Sequence, residues 1–307
     1  MKIVTMDELV KKKEEVAVAI GFFDGVHKGH QHVIEKAVSY AKRSGIKSVV
    51  LTFDKRPKLV LGQATEANEV TPFQEKMRIM ERMGADYSVA LTFDDSLLQQ
   101  TADEFIANYL KKMNLAYVSV GFDFRFGNQG KGRVENLQQA ALCPVEISHP
   151  VELNGMKIST TRIREALEQN DLALVNQQLG RFFQISGVVY KGKQLGRKIG
   201  FPTANLKISP KQLMPLRGVY ATVICIKGKS YASMTNVGYN PTTETREKIS
   251  IETHVFDFSV DVYGAEVELQ FVEKIRDEKT FDGLDELIQQ LAKDKAVATR
   301  MLETVIF

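Results

Sequence analysis

The sequence is short of cysteine and of net charge, and each shortage excludes a class of protein. Its two cysteines, Cys143 and Cys225, lie far apart and outside any C-x-x-C pair, so they cannot build a disulfide scaffold or a four-ligand zinc site. We interpret both as small buried thiols in a reducing compartment. The 41 Lys and Arg residues nearly balance the 38 Asp and Glu residues, and the net charge of +3 provides no strong global field to hold nucleic acid or an anionic membrane.

Long apolar runs are also lacking. No run approaches the ~20 residues that a membrane-spanning helix needs, and the N-terminal MKIVTMDELVKKKEE becomes charged where a signal peptide would be apolar. We therefore expect a cytoplasmic protein with no membrane or nucleic-acid partner, present as a monomer or a weak homo-oligomer. The chain is 44% hydrophobic and 26% charged, which is ordinary for a folded globular protein and argues against disorder.

The length of 307 residues exceeds what one hydrophobic core usually serves, so we expect two domains. From Glu15 to about Ser148, short apolar runs alternate with amphipathic stretches of helical length. The runs are typical of strands buried on both faces: EEVAVAIGFF, KSVVLTF, ADYSVALTF, AYVSVGF and PVEIS. This alternation predicts a Rossmann-like α/β domain, a doubly wound parallel sheet with helices on both faces and ligands at the carboxyl ends of its strands.

Capping residues indicate where two helices of the first half begin. Thr71 is followed by Pro72 and Gln74, and Thr101 is followed by Glu104. Each set fits an N-cap with a residue three positions later that can reach back to it. We therefore predict that a helix starts immediately after each of these threonines.

A turn and a helical segment close this first region. Asn154-Gly155 is a predicted hairpin turn. The STTRIREALEQNDLALVNQQLG segment that follows predicts one or two short helices ending at Gly180.

The pattern changes near residues 181 to 186. From Phe182 to about Val272 the segments alternate with a period of two and are separated by glycine-rich turns, which predicts an antiparallel barrel or sandwich. Helical spacing returns from Asp282 to Glu303, so we expect a terminal helix to pack on this domain. We assign residues 1–183 to the first domain and residues 184–307 to the second.

The first motif with chemical content is GFFDGVHKGH, residues 21–30, between a buried strand and a helix expected to begin near Gly29. Its glycines permit unusual backbone angles and close approach of a ligand: Gly21, Gly25 and Gly29. His27 and His30 are one helical turn apart, so both rings can face one pocket beside a helix N-terminus that favours phosphate. With no third ligand nearby, the pair favours a polyphosphate clamp over a zinc site. The alternative is two surface histidines that flank a turn.

A second motif, ISTTRIREAL at residues 158–167, combines hydroxyl and guanidinium groups at a predicted helix start. Its hydroxyl side chains can cap the helix: Ser159, Thr160 and Thr161. Arg162 and Arg164 bring guanidinium groups that suit a triphosphate, although a capped helix with two solvated arginines is the alternative. Together the two motifs resemble the paired signatures of the nucleotidyltransferase superfamily, which shares its fold with class I aminoacyl-tRNA synthetases and attacks the α-phosphate of a nucleoside triphosphate.

A third motif, GFDFRFGNQGKG at residues 121–132, follows the fourth predicted strand. Its four glycines, its phenylalanines, Asp123 and Arg125 suit the floor of a site for a flat heterocycle. The alternative is that the aromatic rings serve only in packing.

The second half carries a different set of polar residues. No G-x-x-x-x-G-K-[ST] loop and no strand-to-helix G-x-G-x-x-G occurs, so the chain is neither a P-loop enzyme nor an ordinary Rossmann dehydrogenase. The segment GKQLGRKIGFPTANL contains three glycines that suit an anion-contacting loop: Gly192, Gly196 and Gly200. Thr203 and Asn205 offer oxygen ligands of the kind that Mg²⁺ prefers, although PTAN can also be a plain turn. Glu252, inside the apolar strand ISIETHVFDF, is explained equally well as a general base facing a pocket or as a salt bridge at the barrel end.

Eight motifs, in this order and over nearly the whole chain, resemble those of the prokaryotic bifunctional riboflavin kinase/FMN adenylyltransferases, also called FAD synthetases: GFFDGVHKGH, GFDFRFG, ISTTRIREAL, GRKIGFPTANL, GVYAT, NVGYNPT, IETHVFDF and IRDEKTFDGLDELIQQLAKD. The departures are minor. Thr160 stands where a serine is commoner, and TFDKRP at residues 52–57 lacks a histidine often found between its Asp and Pro. The second departure puts in doubt a role for that loop in binding the adenylylation substrates.

The resemblance implies two activities. The C-terminal domain, a β-barrel of the riboflavin kinase type, would transfer the γ-phosphate of ATP to the ribityl hydroxyl of riboflavin, with Glu252 as the base and Mg²⁺ held by Thr203 and Asn205. The N-terminal domain, of the nucleotidyltransferase type, would transfer AMP from a second ATP to the resulting FMN, giving FAD and pyrophosphate. Its catalytic donors would be His27, His30 and Arg162.

The same resemblance implies the binding residues. ATP and its phosphates would contact Gly21, Phe23, Asp24, Gly25, Gly29, Ser159, Thr160, Arg164, Gly192, Gly196, Arg197, Gly200 and Pro202. The flavin would contact Asp123, Phe124, Arg125, Phe126, Asn128 and Arg276.

Two other functions share part of this pattern. The histidine and arginine motifs also resemble those of tRNA-charging enzymes, but the near-neutral charge and the lack of a basic anticodon-binding module speak against an RNA-binding, synthetase-like protein. A flavin carrier, whose motifs serve only for binding, is the other alternative. ATP-dependent conversion of riboflavin separates the three.

Overall fold

A computed structural model describes residues 1–54, 69–192, 194–240 and 248–305. The chain forms two compact units, Met1–Thr160 and Thr161–Phe307. The units therefore divide earlier in the chain than the boundary between residues 183 and 184 that the change of periodicity predicts.

The first unit is built on a six-stranded parallel sheet with the order β1-β4-β3-β2-β5-β6. Its strands are β1 (Lys2–Ile3), β2 (Glu15–Ile20), β3 (Lys47–Phe53), β4 (Tyr87–Leu91), β5 (Asn114–Gly121) and β6 (Val145–Ser148). The five apolar runs of the sequence correspond to β2 through β6, so the predicted parallel sheet is confirmed. The two-residue β1 is too short to produce a period in the sequence and was not predicted.

Side chains of β2 show why both faces of this sheet are apolar. Val16, Val18 and Ile20 belong to one hydrophobic cluster, whereas Ala17 and Ala19 belong to another. Successive side chains of a strand point to opposite faces, so one continuous apolar run supplies two cores. This confirms the doubly wound arrangement.

The described helices of this unit are α1 (Met6–Lys12), α2 (Lys28–Ser44), α3 (Phe73–Arg82), α4 (Asp95–Gln99), α5 (Ala102–Asn108) and α6 (Val134–Gln139). The predicted cap at Thr101 is confirmed, because its hydroxyl accepts from the Glu104 N–H and the Glu104 carboxylate accepts from the Thr101 N–H. The cap predicted at Thr71 is wrong. Pro72 is the N-cap, and the Thr71 N–H instead donates to Asp24 Oδ1, a partner 47 residues away that no local pattern reveals.

A hairpin and two helices follow the sheet. Strands β7 (Glu152–Leu153) and β8 (Met156–Lys157) pair across the predicted turn. Helices α7 (Thr160–Glu168) and α8 (Leu172–Leu179) come next, and α8 ends at Gly180, whose φ of 67° is the left-handed conformation of a helix C-cap.

The second unit contains a closed six-stranded antiparallel barrel with the order β10-β13-β12-β11-β14-β9. Its strands are β9 (Phe183–Tyr190), β10 (Ala204–Ile208), β11 (Gly218–Ile226), β12 (Lys229–Asn240), β13 (Lys248–Val255) and β14 (Glu266–Arg276). The short helix α9 (Leu195–Lys198) lies between β9 and β10, and the terminal helix α10 spans Leu284–Leu302.

The terminal helix packs on the barrel as predicted. Ala298 and Leu302 of α10 form one cluster with the barrel residues Ala221, Val223 and Met234. None of the helices in the described parts of the chain is long and apolar enough to cross a membrane.

Candidate active sites

The GFFDGVHKGH loop joins β2 to α2 at the carboxyl edge of the sheet, and its backbone is strained. Phe23 and Val26 have φ angles of 56° and 40°, and Gly25 has a φ of 84°. A β-branched residue with positive φ is a genuine outlier, and such conformations persist only where the surroundings hold them in place. Gly21 permits a close approach, since a Cβ at this position would lie 2.7 Å from the Phe23 ring.

The two histidines of this loop lie together. His27 is buried and is the N-cap of α2, where its Nδ1 accepts the His30 N–H at 3.3 Å. Because Nδ1 accepts, a neutral His27 carries its proton on Nε2, which is then a donor. The His27 and His30 rings stack with their centroids 3.6 Å apart. The pair is therefore ordered by the helix start, and it is not two independent surface side chains.

Contacts within the first unit bring the loop to the second motif. The Thr160 hydroxyl donates to the Asp24 backbone carbonyl at 3.0 Å. Ser159 is half-buried beside it in the chain, and Arg162 and Arg164 are half-buried on α7 within the second compact unit. The Asp24 carbonyl is thus bonded to the start of the hydroxyl/arginine motif, across 136 residues of sequence.

Lys76, which the sequence analysis did not single out, lies behind the loop. Its side chain is almost fully buried, and its Nζ donates to Phe22 O at 2.9 Å and to Thr52 Oγ1 at 3.2 Å. Burial lowers the pKa of Lys76 from its ordinary 10.5 to about 8, while the carboxylates of Asp24, Glu69 and Asp54 act to raise it. A lysine in the amphipathic segment FQEKMRIMER gives no sign of this burial in the sequence.

The 121–132 loop presents only some of its predicted flavin contacts. Phe126 is buried in the core of the first unit, where its ring packs on Phe105 with the centroids 5.2 Å apart. Phe124 is half-buried and stacks on Phe126. The packing favours a structural role for Phe126 and leaves Phe124 as the more accessible ring.

The polar side chains of this loop are more exposed. Asp123 forms an ion pair with Lys157 of strand β8 at 2.5 Å, and both side chains are largely solvent-accessible. Arg125 is exposed, and the half-buried Asn128 donates from its side-chain amide to Gln99 O.

The second unit contains a cavity of about 320 Å³ between one face of the barrel wall and the terminal helix. Glu252 of β13 lines it, with Asn236 at the same level of the neighbouring strand β12. The rest of the lining is mainly apolar, and includes Phe201, Phe281, Leu287 and Leu291. Charged side chains of Arg276, Glu278 and Lys279 line it as well. A half-buried carboxylate such as Glu252 in a mainly apolar cavity is suited to bind and deprotonate a hydroxyl on a largely apolar molecule.

A second cavity, of about 270 Å³, involves the opposite face of β13. It is lined by Thr253 and Val255, which alternate along the strand with the Glu252 and His254 of the first cavity. Arg197 and Pro202, both predicted nucleotide contacts, also line it, with Tyr263. Thr203 lines both cavities.

Close approaches fix the GKQLGRKIGFPTANL segment around Thr203. A Cβ on Gly192 would lie 2.7 Å from the Asn205 side chain, and one on Gly196 would lie 2.2 Å from Phe201 O. These two glycines are therefore required for packing within the segment. Gly200 has a φ of 81°, which favours glycine for a different reason.

His254 is a second residue that the sequence analysis missed. Its Nδ1 lies 2.8 Å from the Pro202 carbonyl oxygen, and since a carbonyl only accepts, the ring donates. Burial lowers the pKa of His254 below its ordinary value, which keeps the ring neutral at pH 7. The neutral ring thus fixes the backbone immediately before Thr203.

Arg276, a predicted flavin contact, lines the first cavity but has other bonds. Its Nε and Nη2 donate to both carboxylate oxygens of the buried Asp294, at 2.7 to 3.0 Å, and its Nη1 donates to Asp277 O. Gln290 also donates to Asp294, at 2.8 Å. The arginine therefore joins strand β14 to α10, and its geometry favours holding the cavity wall over free reach to a ligand.

Parts of two predicted motifs lie outside the described residues. They are residues 55–57 of TFDKRP and residues 241–242 of NVGYNPT. Over the described ranges, no group of three or more His, Cys, Asp or Glu side chains is placed to hold a metal ion. Mg²⁺ commonly keeps several waters and uses few protein ligands beside substrate phosphates, so Thr203 and Asn205 remain chemically suitable donors for it.

A parallel sheet with a histidine-bearing loop, followed by a closed barrel whose cavity contains Glu252, is typical of a two-unit, nucleotide-using transferase. The chain belongs to the family of bifunctional riboflavin kinase/FMN adenylyltransferases. The family model described as FAD synthetase matches residues 9–162, and the one described as riboflavin kinase matches residues 179–302. The predicted family, fold class and enzyme class are thereby confirmed.

Curated relatives match over most of their length. The protein named bifunctional riboflavin kinase/FMN adenylyltransferase of Bacillus subtilis is 36% identical over 95% of this chain and 94% of its own. The protein of the same name from Escherichia coli K12 is 34% identical over 93% of this chain and 92% of its own. A solved structure described as a macrolide-efflux protein from Streptococcus pneumoniae is similar with a TM-score of 0.87 and 33% identity, covering 97% of this chain and 99% of that one.

Proposed function

We propose that the two units catalyse successive reactions. In the barrel unit, the ribityl hydroxyl of riboflavin attacks the γ-phosphate of ATP, which yields FMN and ADP. In the sheet unit, a phosphate oxygen of FMN attacks the α-phosphate of a second ATP, which yields FAD and pyrophosphate. The single observation that best supports this proposal is that Thr203 lines both barrel cavities, one suited to a flavin and the other to a nucleotide.

In the barrel, riboflavin occupies the larger cavity and ATP the smaller one. The apolar lining of the larger cavity suits the isoalloxazine ring, and Glu252 takes the hydroxyl proton as the oxygen attacks phosphorus. Arg197 and Pro202 serve the nucleotide, with the glycines of the same segment. Arg276 contributes to the flavin site by holding the cavity wall in place through its hydrogen bonds to Asp294.

Thr203 and Asn205 are the residues that would hold Mg²⁺. Their side-chain oxygens are metal ligands of the kind that Mg²⁺ prefers. The backbone of Gly192 packs so closely against the Asn205 side chain that no larger residue fits there. A bound Mg²⁺ would neutralise charge that develops on the phosphate oxygens. The bond from His254 to Pro202 O keeps this segment in position.

In the sheet unit, the protein's part is to position donors around the triphosphate, because adenylyl transfer needs little covalent help. The Nε2–H of His27 and the imidazole of His30 serve this purpose at the start of α2. By the family resemblance, Ser159, Arg162 and Arg164 of the second motif also bind phosphate groups. FMN rests on the 121–132 loop, where Phe124 offers the more accessible of the two predicted rings and Arg125 a positive charge.

The substrates require no macromolecular partner. We propose a cytoplasmic protein that acts on ATP, riboflavin and FMN without nucleic acid or membrane, as a monomer or a weak homo-oligomer. We also retain the division between residues 183 and 184 as a proposal for the functional domains, with the adenylyltransferase before it and the kinase after it.

The proposal is tested by incubating the purified protein with riboflavin, ATP and Mg²⁺ and separating the flavins by chromatography over time. FMN should appear first and FAD later, with ADP and pyrophosphate as co-products. Samples without ATP should retain riboflavin unchanged. Tight flavin binding without ATP-dependent conversion would instead identify a carrier.

A further inference from the structure

A buried ammonium group stands behind the phosphate loop of the first unit. All three N–H donors of Lys76 have oxygen acceptors: Phe22 O at 2.9 Å, Thr52 Oγ1 at 3.2 Å and Phe53 O at 3.4 Å. An ammonium has three donors and no acceptor, so this set satisfies it completely. Phe22 follows strand β2, and Phe53 ends strand β3, so one side chain links the carboxyl ends of two neighbouring strands.

The linked segment is the one under strain. Phe22 directly precedes Phe23, which has a φ of 56°, in the loop that carries His27. The Phe22 carbonyl accepts a second hydrogen bond from the Thr52 hydroxyl, at 3.1 Å. Two donors on one carbonyl fix the orientation of that peptide, and a strained loop keeps its shape only when such contacts outweigh the strain.

Helix α3 holds the same loop at a second point. The Thr71 N–H, just before α3, donates to the Asp24 carboxylate at 3.1 Å. Lys76 lies on the first turns of α3 and also has its ammonium 4.5 Å from the centre of the Phe22 ring. The helix therefore contacts both residues that flank Phe23.

Several negative charges surround the ammonium. Carboxylates on three separate segments act on Lys76: Asp24 in the loop, Asp54 after β3 and Glu69 before α3. Asp24 and Glu69 are themselves buried. Removing the ammonium would take away a positive charge that these three carboxylates stabilise beside the loop.

We propose that Lys76 is a positioning residue for adenylyl transfer: its ammonium holds the Phe22 peptide against strand β3, keeps the strained loop closed and thereby sets the places of His27 and His30. The proposal rests on the function proposed for the first unit. Lys76 acts through the loop and touches no substrate. Its loss is expected to raise the KM for ATP and to lower kcat, because small displacements of positioned groups cost large factors in rate.

The test compares Lys76→Met with Met80→Ala in the full-length protein. Methionine keeps the length and apolar stem of lysine and removes the ammonium. Met80 is fully buried on the same helix, in the hydrophobic cluster that also contains Phe23 and Val26 of the loop. Its variant therefore reports what looser packing of α3 and the loop does when the Lys76 hydrogen bonds are kept. Each protein is given FMN and ATP for adenylylation, and riboflavin and ATP for phosphorylation, which serves as an internal reference in the same preparation.

We expect Lys76→Met to lower kcat/KM for FMN adenylylation by about 10- to 100-fold with riboflavin phosphorylation unchanged, and Met80→Ala to lower the melting temperature with little change in either activity. Unaltered adenylylation by Lys76→Met, or an equal loss in Met80→Ala at the same loss of stability, would overturn the proposal. If Lys76→Met does not fold, Thr52→Val supplies the answer, since it removes one of the two donors to Phe22 O and one of the three acceptors of the Lys76 ammonium. That variant should raise the KM for ATP, and wild-type kinetics would refute the role.

The outcomes also separate this inference from the function on which it rests. An unmodified protein that makes no FAD from FMN and ATP would overturn the proposed adenylyltransferase and the role of Lys76 together. An active unmodified protein with a fully active Lys76→Met variant would overturn the role of Lys76 alone.

Discussion

The two units hold their proposed phosphate-binding loops in different ways. In the sheet unit a buried, positively charged side chain, Lys76, donates to the Phe22 carbonyl, and burial lowers its pKa to about 8. In the barrel unit a neutral imidazole, His254, donates to the Pro202 carbonyl, and burial lowers its pKa as well. One contact therefore depends on a charge that is lost in mildly alkaline solution, whereas the other depends on a neutral donor that persists there.

The difference follows from the strain that each contact must oppose. The GFFDGVHKGH loop contains two non-glycine residues with positive φ, and its lysine can donate to three oxygens at once. The segment before Thr203 has positive φ at Gly200, where it is inexpensive, and at one non-glycine residue, Gln194. A single neutral hydrogen bond from His254 holds its end. The charged donor, Lys76, thus holds the loop with the more strained backbone.

The largest expected difference between the two units comes from a substitution at Glu252. We predict that Glu252→Gln lowers riboflavin phosphorylation by about 10²- to 10⁴-fold, because the amide cannot accept the hydroxyl proton. FMN supplied directly should still become FAD at the unmodified rate. Initial rates of both reactions on one preparation provide the measurement, and undiminished phosphorylation would make Glu252 a structural carboxylate.

His30→Ala should have the opposite selectivity, affecting adenylylation but not phosphorylation. It should lower FMN adenylylation by about 10²- to 10³-fold, the usual loss for one transition-state donor, and leave phosphorylation intact. Purified variant given riboflavin should therefore accumulate FMN. Continued FAD formation at the unmodified rate would show that this imidazole does not act on the triphosphate.

Sequence patterns predicted the strands, the barrel and the terminal helix because each depends on local periodicity. The strand β2 run, the Thr101 cap and the Gly180 helix end are all visible within a few residues. The roles of Lys76 and His254 were not predicted, since each depends on a carbonyl partner more than 50 positions away. The misplaced cap at Thr71 has the same cause, because Asp24 competes for its N–H from another part of the chain.

A third prediction concerns how far the barrel unit extends. Val175 and Leu179 of α8 are fully buried, and the Asn176 side chain bonds to the backbone of β9 and β14. We expect fragments 161–307 and 184–307 both to phosphorylate riboflavin and neither to make FAD. The shorter fragment should be less stable by roughly 3 kcal/mol, because it lacks the apolar side chains of α8.

Urea unfolding of the two fragments measures that difference. Equal midpoints would mean that α8 adds nothing to the barrel. A folded 184–307 fragment that binds riboflavin and ATP but transfers no phosphate would show that the kinase needs residues before the predicted boundary.

A smaller effect is expected at His254. His254→Phe keeps an aromatic ring beside Phe201, whose ring centroid lies 5.2 Å away, and deletes the donor to Pro202 O. One neutral hydrogen bond contributes about 1 kcal/mol, so phosphorylation should fall about fivefold to tenfold in kcat/KM. His254→Gln, which retains a donor, should recover part of the loss. Equal activity of the two variants would assign the effect to packing.

A last prediction is that pH moves the activity and the stability of the sheet unit in opposite directions. With a pKa of about 8, Lys76 is mostly neutral at pH 9, so adenylylation should fall about tenfold from its plateau if the loop needs the ammonium. The rate of phosphorylation should show no comparable alkaline fall caused by His254, because the lowered pKa of His254 leaves the ring neutral from pH 7 upward.

Stability follows the opposite sign. The folded-state pKa of Lys76 lies below its ordinary 10.5, so between about pH 8 and 10.5 the unfolded chain binds more protons than the folded one. The contribution of this group to the free energy of unfolding therefore rises with pH across that window. Comparing the unmodified protein with Lys76→Met at each pH isolates the group from other lysines and tyrosines that titrate nearby. A stability difference that stays constant from pH 8 to 10.5, or an alkaline loss of adenylylation that survives in Lys76→Met, would show that the buried ammonium is not what separates the two units.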